Sequence, residues 1–461
     1  VQINYKDGPY KNRLSSNYIR CIVEDNQGNY WIGTFKGLDK LDTTNNITHY
    51  SEDNKPYSLS NSSIICMMKD QQGTFWIGTY YGGITDYTDN DIPPVYRIEA
   101  DESQKGKLTS PFAGRMKEDS KGGIWIATEG GGVNYLDRKT KSFIEYKHNN
   151  QSNSLASNTI QALYLDEKNQ ILWIGTLKGG LDKLNLKTQK FTNYRHVPGQ
   201  KNTLINDIIR KIIPYKGNLL LATHNGIGLF NPETGECTKL LTDSKLNNRQ
   251  IIDMHLDKHN NLWFSYYLGL VKYNIATHKR DEYFVPNTSE KVIGSNLINV
   301  LFEDKKGNIW AGSSGDGIFL YQPETNTFKS FNSQNSDLIN DYILDINESL
   351  SGYLLIASNQ GFSRFDMENE RFYNYNKQNG FPMTALNPYG LFVAHDNEIF
   401  LSGPKMMISF FEKELNSYVK PYQLNFTSLE VNNKLILPND GSGILSESIL
   451  YQPQITLNHN H

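Results

Sequence analysis

Residues Glu24–Thr34 read EDNQGNYWIGT, and closely related phrases follow at Lys69–Thr79 (KDQQGTFWIGT), Glu118–Thr128 (EDSKGGIWIAT) and Glu303–Ser313 (EDKKGNIWAGS). The tryptophan position of the phrase is filled nine times, by Trp31, Trp76, Trp125, Trp173, Leu220, Trp263, Trp310, Leu355 and Phe400. The steps between them are 45, 49, 48, 47, 43, 47, 45 and 45 residues. A fixed period in this range marks supersecondary units that cannot bury an apolar face alone and so stack on their neighbours.

Residues 16–50 serve as the template. Tyr18–Glu24 is a β-rich run, Asp25–Gly28 a turn, and Tyr30–Thr34 a second run. After Gly37, Leu38–Leu41 is a third, Asn45-Asn46 turns the chain, and Ile47–Tyr50 is a fourth. Four short strands separated by Gly, Asn and Asp turns describe a propeller blade. No segment sustains a 3.6-residue apolar period, so helix is expected to be rare. The turn pairs Asp25 with Gly28, Asp70 with Gly73, Asp119 with Gly122 and Asp304 with Gly307, while Asp257 pairs with Asn260. Asp accepts hydrogen bonds from nearby amides, and Gly or Asn takes the left-handed conformation that closes the turn. Recurrence makes these acids structural, not metal ligands or catalytic groups. Leu and Phe substitutes at the tryptophan slot likewise imply packing between blades.

Composition narrows the classes. Apolar residues make up 38% of the 461, with 28 Tyr, 21 Phe and 6 Trp, as expected of a folded protein with a tyrosine-rich surface. A formal charge of −3 offers no basic face for nucleic acid. No apolar run approaches the roughly 18 residues that span a bilayer, so no membrane segment is expected within these residues. The chain begins at Val1 in mid-repeat and is read as a fragment. Three cysteines, Cys21, Cys66 and Cys237, do not make a disulfide framework. Cys21 and Cys66 share one repeat slot with Ala162 and Val300, which predicts a small buried apolar side chain there; a redox or metal role is the alternative.

The repeats divide unevenly. Gln2–Tyr5 matches the fourth strand of the template. Asp89–Ser110 is the longest stretch between copies and holds Pro93-Pro94 and a polar run, which favours a boundary there. The expected fold is all-β: residues 1–95 form the last two blades of a preceding propeller. Residues 96–418 form a seven-bladed propeller of four-stranded blades, and 419–461 the truncated start of a β-sandwich. An eight- or nine-bladed ring is the alternative.

Residues that break the repeat are the candidates for function. Arg115 replaces an apolar slot on a first strand, Arg249 precedes another, and Arg20 and Arg210 lie on first strands too. First strands line the axis of a propeller, where such arginines would bind a sulfate or uronate bidentately; a paired structural arginine is the alternative. After the tryptophan phrase come Tyr80, Tyr81, Glu129, His224, Tyr266, Tyr267 and Asp316, on loops of one face. Tyrosines stack on sugar rings and a polar neighbour fixes orientation; ordinary loop residues are the alternative. The expected ligand-binding set is Arg115, Arg249, Tyr80, Tyr81, Glu129, His224, Tyr266 and Tyr267. The ten histidines show no paired-ligand spacing, and no nucleophile or phosphate-binding motif occurs, so no metal, cofactor or catalytic residue is expected.

The motif D-x-x-G-x-x-W-[IA]-G-T followed by a Gly-Leu or Gly-Gly pair, as in Trp76–Gly83 and Trp125–Gly132, resembles the regulator-propeller repeat. It is similar to the sensor regions of hybrid two-component systems of polysaccharide-using gut bacteria. Leu424–Asn433 and Gly443–Leu457 are similar to the start of the β-sandwich that follows in that family. The resemblance implies a periplasmic sensor region of a parent anchored in the inner membrane. It further implies an oligosaccharide ligand, dimerisation through the parent, and a histidine kinase outside these residues. The rival readings are a propeller lyase or glycosidase, needing His224, His255 and Glu129 to converge, and a protein-interaction scaffold.

Overall fold

The computed structural model describes residues 13–25, 27–52, 58–70, 73–88, 95–149, 153–241, 243, 246, 248–267, 269–284, 297–376, 381–383, 385–415, 426–452 and 454–457. The Gln2–Tyr5 strand, the Pro93-Pro94 boundary and residues 422–425 of the expected sandwich lie outside them. The chain forms two units, Asp89–Ser417 and, separately, Val1–Thr88 with Tyr418–His461.

Every repeat folds as an antiparallel meander. In the template, Ile19–Glu24, Tyr30–Thr34, Leu38–Leu41 and Ile47–Tyr50 pair in sequence order. The acidic turn explains why. Asp25 Oδ1 accepts the amides of Gln27 (2.9 Å) and Asn29 (2.8 Å), and Gly28 takes φ +79°. Its Oδ2 then accepts the indole of Trp31 at 3.1 Å, so the turn also aims the tryptophan. Asp70, Asp257 and Asp304 hold Trp76, Trp263 and Trp310 in the same way, at 2.9, 3.0 and 3.0 Å. Burial alone would raise the Asp25 carboxyl, but bonds from Asn29, Trp31 and the backbone hold it below its usual range.

One copy departs from this. Tyr135 donates its hydroxyl to Asp119 Oδ2 at 2.9 Å, and the buried Trp125 Nε1 has no acceptor. Gly123 makes this possible, since a Cβ there would sit 2.1 Å from the Tyr135 hydroxyl.

Within Asp89–Ser417 the described residues make seven four-stranded sheets, named here by their slot residues Trp125, Trp173, Leu220, Trp263, Trp310, Leu355 and Phe400. Their first strands are Ala113–Glu118, Ile160–Asp166, Ile209–Tyr215, Ile251–Leu256, Ile298–Glu303, Ile343–Glu348 and Leu391–Val393. These neighbour one another in cyclic order, the last returning to the first. The Phe400 sheet takes its fourth strand from the other end of the unit: Tyr96–Glu99 pairs with Met406–Phe411, Tyr96 opposite Ser409. The stretch read from sequence as a boundary thus contains the strand that closes the ring. Across the same seam, Arg138 bonds Glu118, Asp396 and Glu398.

The slot residue of each sheet packs on the third strand of the next. Ring centroids lie 5.5 Å apart for Trp173–Phe230, 4.8 Å for Trp263–Tyr321 and 5.9 Å for Trp310–Phe365. Phe400 shares a cluster with Leu136, which completes the circuit. Burying aromatic faces in this way is the main apolar gain of stacking.

In the other unit, Trp31 packs on Tyr87 at 4.9 Å. Trp76 is 42% exposed, so the expectation of a packed slot fails there. Its sheet has three strands among the described residues, Ile64–Lys69, Thr74–Thr79 and Ile84–Thr88, and Trp76 is absent from the apolar cluster that holds Trp31, Phe75 and Ile77. Residues 426–457 hold a two-stranded ladder of Glu430–Val431 and Lys434–Leu435.

Candidate functional site

Six of the seven first strands of the Asp89–Ser417 unit carry a bulge that shifts register near their start, as between Ile209 and Lys211 or Ile251 and Asp253; Leu391–Val393 pairs without one. The residue just past it holds Arg115, Ala162, Lys211, Asp253, Val300 and Asp345 in six successive sheets of the Asp89–Ser417 unit. Four of these are charged, and three of them, Arg115, Lys211 and Asp253, meet. Arg115 Nη2 donates to Asp253 Oδ1 at 3.0 Å, although their sheets are not neighbours, so the pair spans the axis. Lys211 Nζ reaches the same oxygen at 2.8 Å, and the Leu301 amide donates to Oδ2 at 2.9 Å.

The electrostatics follow from this crowding. Burial would raise the Asp253 carboxyl, but Lys211 and Arg115 hold it below the ordinary range. Burial lowers the Lys211 ammonium, and Asp253 only partly offsets that. With two cations and an amide on one carboxylate, the ionised state of Asp253 is the firmer of the two. Asp345 bonds only backbone amides, Leu391 at 3.0 Å and Ile346 at 3.0 Å, and burial pushes it up to about 7. Lys117, two residues past Arg115, makes no hydrogen bond or ion pair among the described residues. Solvent reaches its side chain, yet the protein around the passage, then Lys211 and Arg115, lower its ammonium to about 8. Further along the axis His255 bonds Glu303 at 3.0 Å, and burial lowers its imidazole.

One end of this axis opens into a cavity of about 390 Å³ lined by Arg115, Arg210, Glu129, Gln161, Asn387 and Tyr389 among others. Arg115 lies over Tyr389, its Cζ 3.8 Å from the ring centroid, and its Nε has no acceptor among the described residues. Tyr389 sits at φ +57°, a left-handed conformation costly for a bulky residue and maintained only where the surroundings enforce it. Here its hydroxyl donates to the Asn299 carbonyl at 3.0 Å and its amide to Leu344. Arg210 donates Nε to His224 Nε2 at 3.0 Å, which requires that nitrogen to be unprotonated; burial and Arg210 both lower the His224 imidazole. Glu129 accepts from Gln161 at 3.3 Å at the rim.

The eight residues expected to bind ligand therefore do not form one site. Arg115 and Glu129 line the axial mouth, and His224 stands behind Arg210. Tyr80 and Tyr81 belong to the other unit. There they meet edge to face at 4.5 Å and line a cavity of about 720 Å³ with Arg20, Phe35, Lys36 and Asn61. Tyr81 is 84% exposed, and Arg20 is fixed over Phe35 by bonds to Ser63 and the Ile64 carbonyl. Arg249 lies 5.6 Å from the ring centre of Tyr266, which is buried, whereas Tyr267 is exposed. His224, His255 and Glu129 each have a separate partner, in Arg210, Glu303 and Gln161. Sequence reasoning missed Lys117, Lys211, Asp253, Asp345 and Tyr389. Cys66, expected to be buried, is exposed: the slot that packs in Ala162 and Val300 faces outward in its sheet.

Residues 13–36, 58–81 and 293–315 match the two component regulator propeller family. Over 239 residues the chain is 23% identical to histidine kinase P4 of Formosa agariphila, covering 50% of this chain and 17% of the kinase. In structure the chain is similar to the extracellular domain of a hybrid two-component system from B. thetaiotaomicron, with TM-score 0.67, 22% identity, and 92% of this chain on 56% of that one. A second extracellular domain from the same bacterium, described with a one-component system, aligns at TM-score 0.56 and 22% identity over 94% of this chain and 56% of that one. The chain thus spans little more than half of these solved relatives and a small part of the kinase. No helix among its described residues is long and apolar enough to cross a membrane.

Proposed function

We propose that this chain is the ligand-sensing region of a hybrid two-component regulator. It lies in the periplasm, binds an oligosaccharide released from a glycan, and signals as a homodimer to a kinase carried elsewhere in a parent anchored in the inner membrane. In this reading residues 96–418 are one seven-bladed propeller, residues 1–95 close a preceding one, and residues 419–461 begin a β-sandwich. The uncovered Trp76 face supports the second assignment, since the other tryptophans of the slot are buried.

The observation that carries the reading is the Tyr80–Tyr81 cavity within regulator-propeller repeats. It offers an exposed aromatic pair beside a fixed guanidinium and an amide side chain, the mix that stacks on and orients a sugar. The axial mouth, with Arg115 and Glu129, is a second contact region, and Arg249, Tyr266 and Tyr267 a third. Binding would act on the kinase only through different affinity for two arrangements of the parent.

The test is calorimetry of the 461-residue chain against a panel of glycan fragments, with product analysis of each mixture. Saturable binding without turnover, weakened by Tyr81→Ala, is expected. Silence across the panel would favour a scaffold, and released product a lyase or glycosidase.

A further inference from the structure

The repeat itself shows that the axial charges are not needed to build a sheet. Ala162 and Val300 fill the same slot as Arg115, Lys211, Asp253 and Asp345, and their sheets pair equally well. Charges placed in a narrow passage are costly unless something pairs them. Here the pairing is incomplete. One carboxylate, Asp253, serves both Arg115 and Lys211. Lys117 faces the same passage with no acid of its own. Arg210, at the mouth, has a neutral imidazole as its hydrogen-bond partner and no carboxylate. Asp345 is the other acid at this level, and near neutral pH it is only partly ionised. Glu303 is engaged with His255, further in. The passage therefore has an excess of positive charge enclosed by protein, where a single anion gains more than it would at an open surface.

We infer that the axial mouth of the Asp89–Ser417 unit is an anion subsite that takes the carboxylate or sulfate of an acidic sugar between Arg115 and Arg210. Lys117 and Lys211 supply the field behind it. The cavity falls within the range of small-molecule sites, roughly 300–1,000 Å³. Arg115 is pre-set by Asp253 on one side and Tyr389 on the other, so little side-chain freedom is lost on binding. Arg210 uses only Nε among the described residues, which leaves its terminal nitrogens for a bidentate contact. Glu129, the acid at the rim, repels a second anion there and accepts from sugar hydroxyls instead. This subsite rests on the oligosaccharide reading for the source of its anion, not for the anion chemistry.

Calorimetry of the full chain at pH 8 tests it, with sodium sulfate, glucuronic acid and glucose as probes. Sulfate and glucuronic acid bind saturably and glucose does not. An anion beside Lys117 favours its charged form, so binding takes up protons, read as a heat that differs between buffers of different ionisation enthalpy. Arg210→Gln weakens anion binding roughly tenfold or more, Arg210→Lys restores part of it, and Lys117→Gln removes the proton uptake. Anion binding that is equal in wild type and Arg210→Gln, or absent from both while circular dichroism shows the fold intact, overturns the inference. A neutral glycan fragment that binds while sulfate and glucuronic acid do not overturns it too, yet leaves the sensing reading standing. Binding of sulfate and glucuronic acid with no response to any glycan fragment sustains the subsite and removes the oligosaccharide.

Discussion

Trp263 and Trp76 occupy the same position of the same repeat, and each indole donates to the acid of its turn at close to 3 Å. One is fully buried and the other is 42% exposed. Local sequence therefore sets the rotamer of the tryptophan, and the next sheet alone decides whether it is covered. Trp263 has Tyr321 of the following sheet over it, and Trp31 has Tyr87. Trp76 has the same turn and the same hydrogen bond without that cover. The axis shows the same contrast. The slot holds Arg115, Lys211, Asp253 and Asp345 where sheets surround it, and Cys21 and Cys66 in the other unit. A repeat specifies a sheet, but a closed set of sheets specifies an interior.

The sharpest way to break this comparison is to truncate both indoles. Trp263→Ala is expected to cost about 3–5 kcal/mol, with Trp173→Ala in the same range, and Trp76→Ala about 1 kcal/mol. Urea unfolding followed by circular dichroism reads the difference, and equal losses would end the argument. At the axis, Asp253→Ala leaves Arg115 and Lys211 without their shared acid and is expected to cost about 3–5 kcal/mol. Cys66→Ala, at the equivalent slot, should stay within about 0.5 kcal/mol. Removing the turn acid separates its two roles. Asp304→Ala loses the bonds from the backbone and side-chain amides of Asn308 and the indole bond, and should cost about 1–3 kcal/mol. Asp119→Ala should cost less on the indole side, since Trp125 has no bond to it.

A further effect is a slope in pH. Burial lifts the Asp345 carboxyl from 3.8 to about 7, so the folded protein holds a proton there that the unfolded chain has released. Its contribution is fully present below about pH 4 and is lost as pH rises through about 7. Asp345→Asn should flatten that decline, by on the order of 1 kcal/mol per pH unit between 5 and 7, in thermal melts taken across the range.

The blade was legible from the chain alone because its signals are local. The Asp–Gly turn, the alternating strands and the recurring tryptophan each act within about ten residues. The closing strand was not, because Tyr96–Glu99 lacks the turn phrase and owes its pairing to Met406–Phe411, far along the chain. The candidate site was legible in part. Arg115 stood out as a charge in an apolar slot. Lys211, Asp253 and Asp345 occupy that slot too, and aligning the copies on the bulge instead of on the tryptophan would have exposed all four. Tyr389 carries no sequence signal, since its left-handed backbone is imposed by tertiary bonds to Asn299 and Leu344. Gly123 and the orphaned Trp125 indole show the reverse case, in which one small residue lets Tyr135 take over an acid meant for the indole.

The pairing of Tyr96 with Ser409 bridges 313 positions, from the first sheet-forming residues of the larger unit to nearly its last. On the ribosome this fixes an order of events. Six sheets can form as they emerge, but Tyr96–Glu99 has no partner until Met406–Phe411 has left the exit tunnel. Such long-range closure is slow as well as late. A message broken before Glu398 would leave a stack with an unpaired edge at either end, prone to adhere to its own kind.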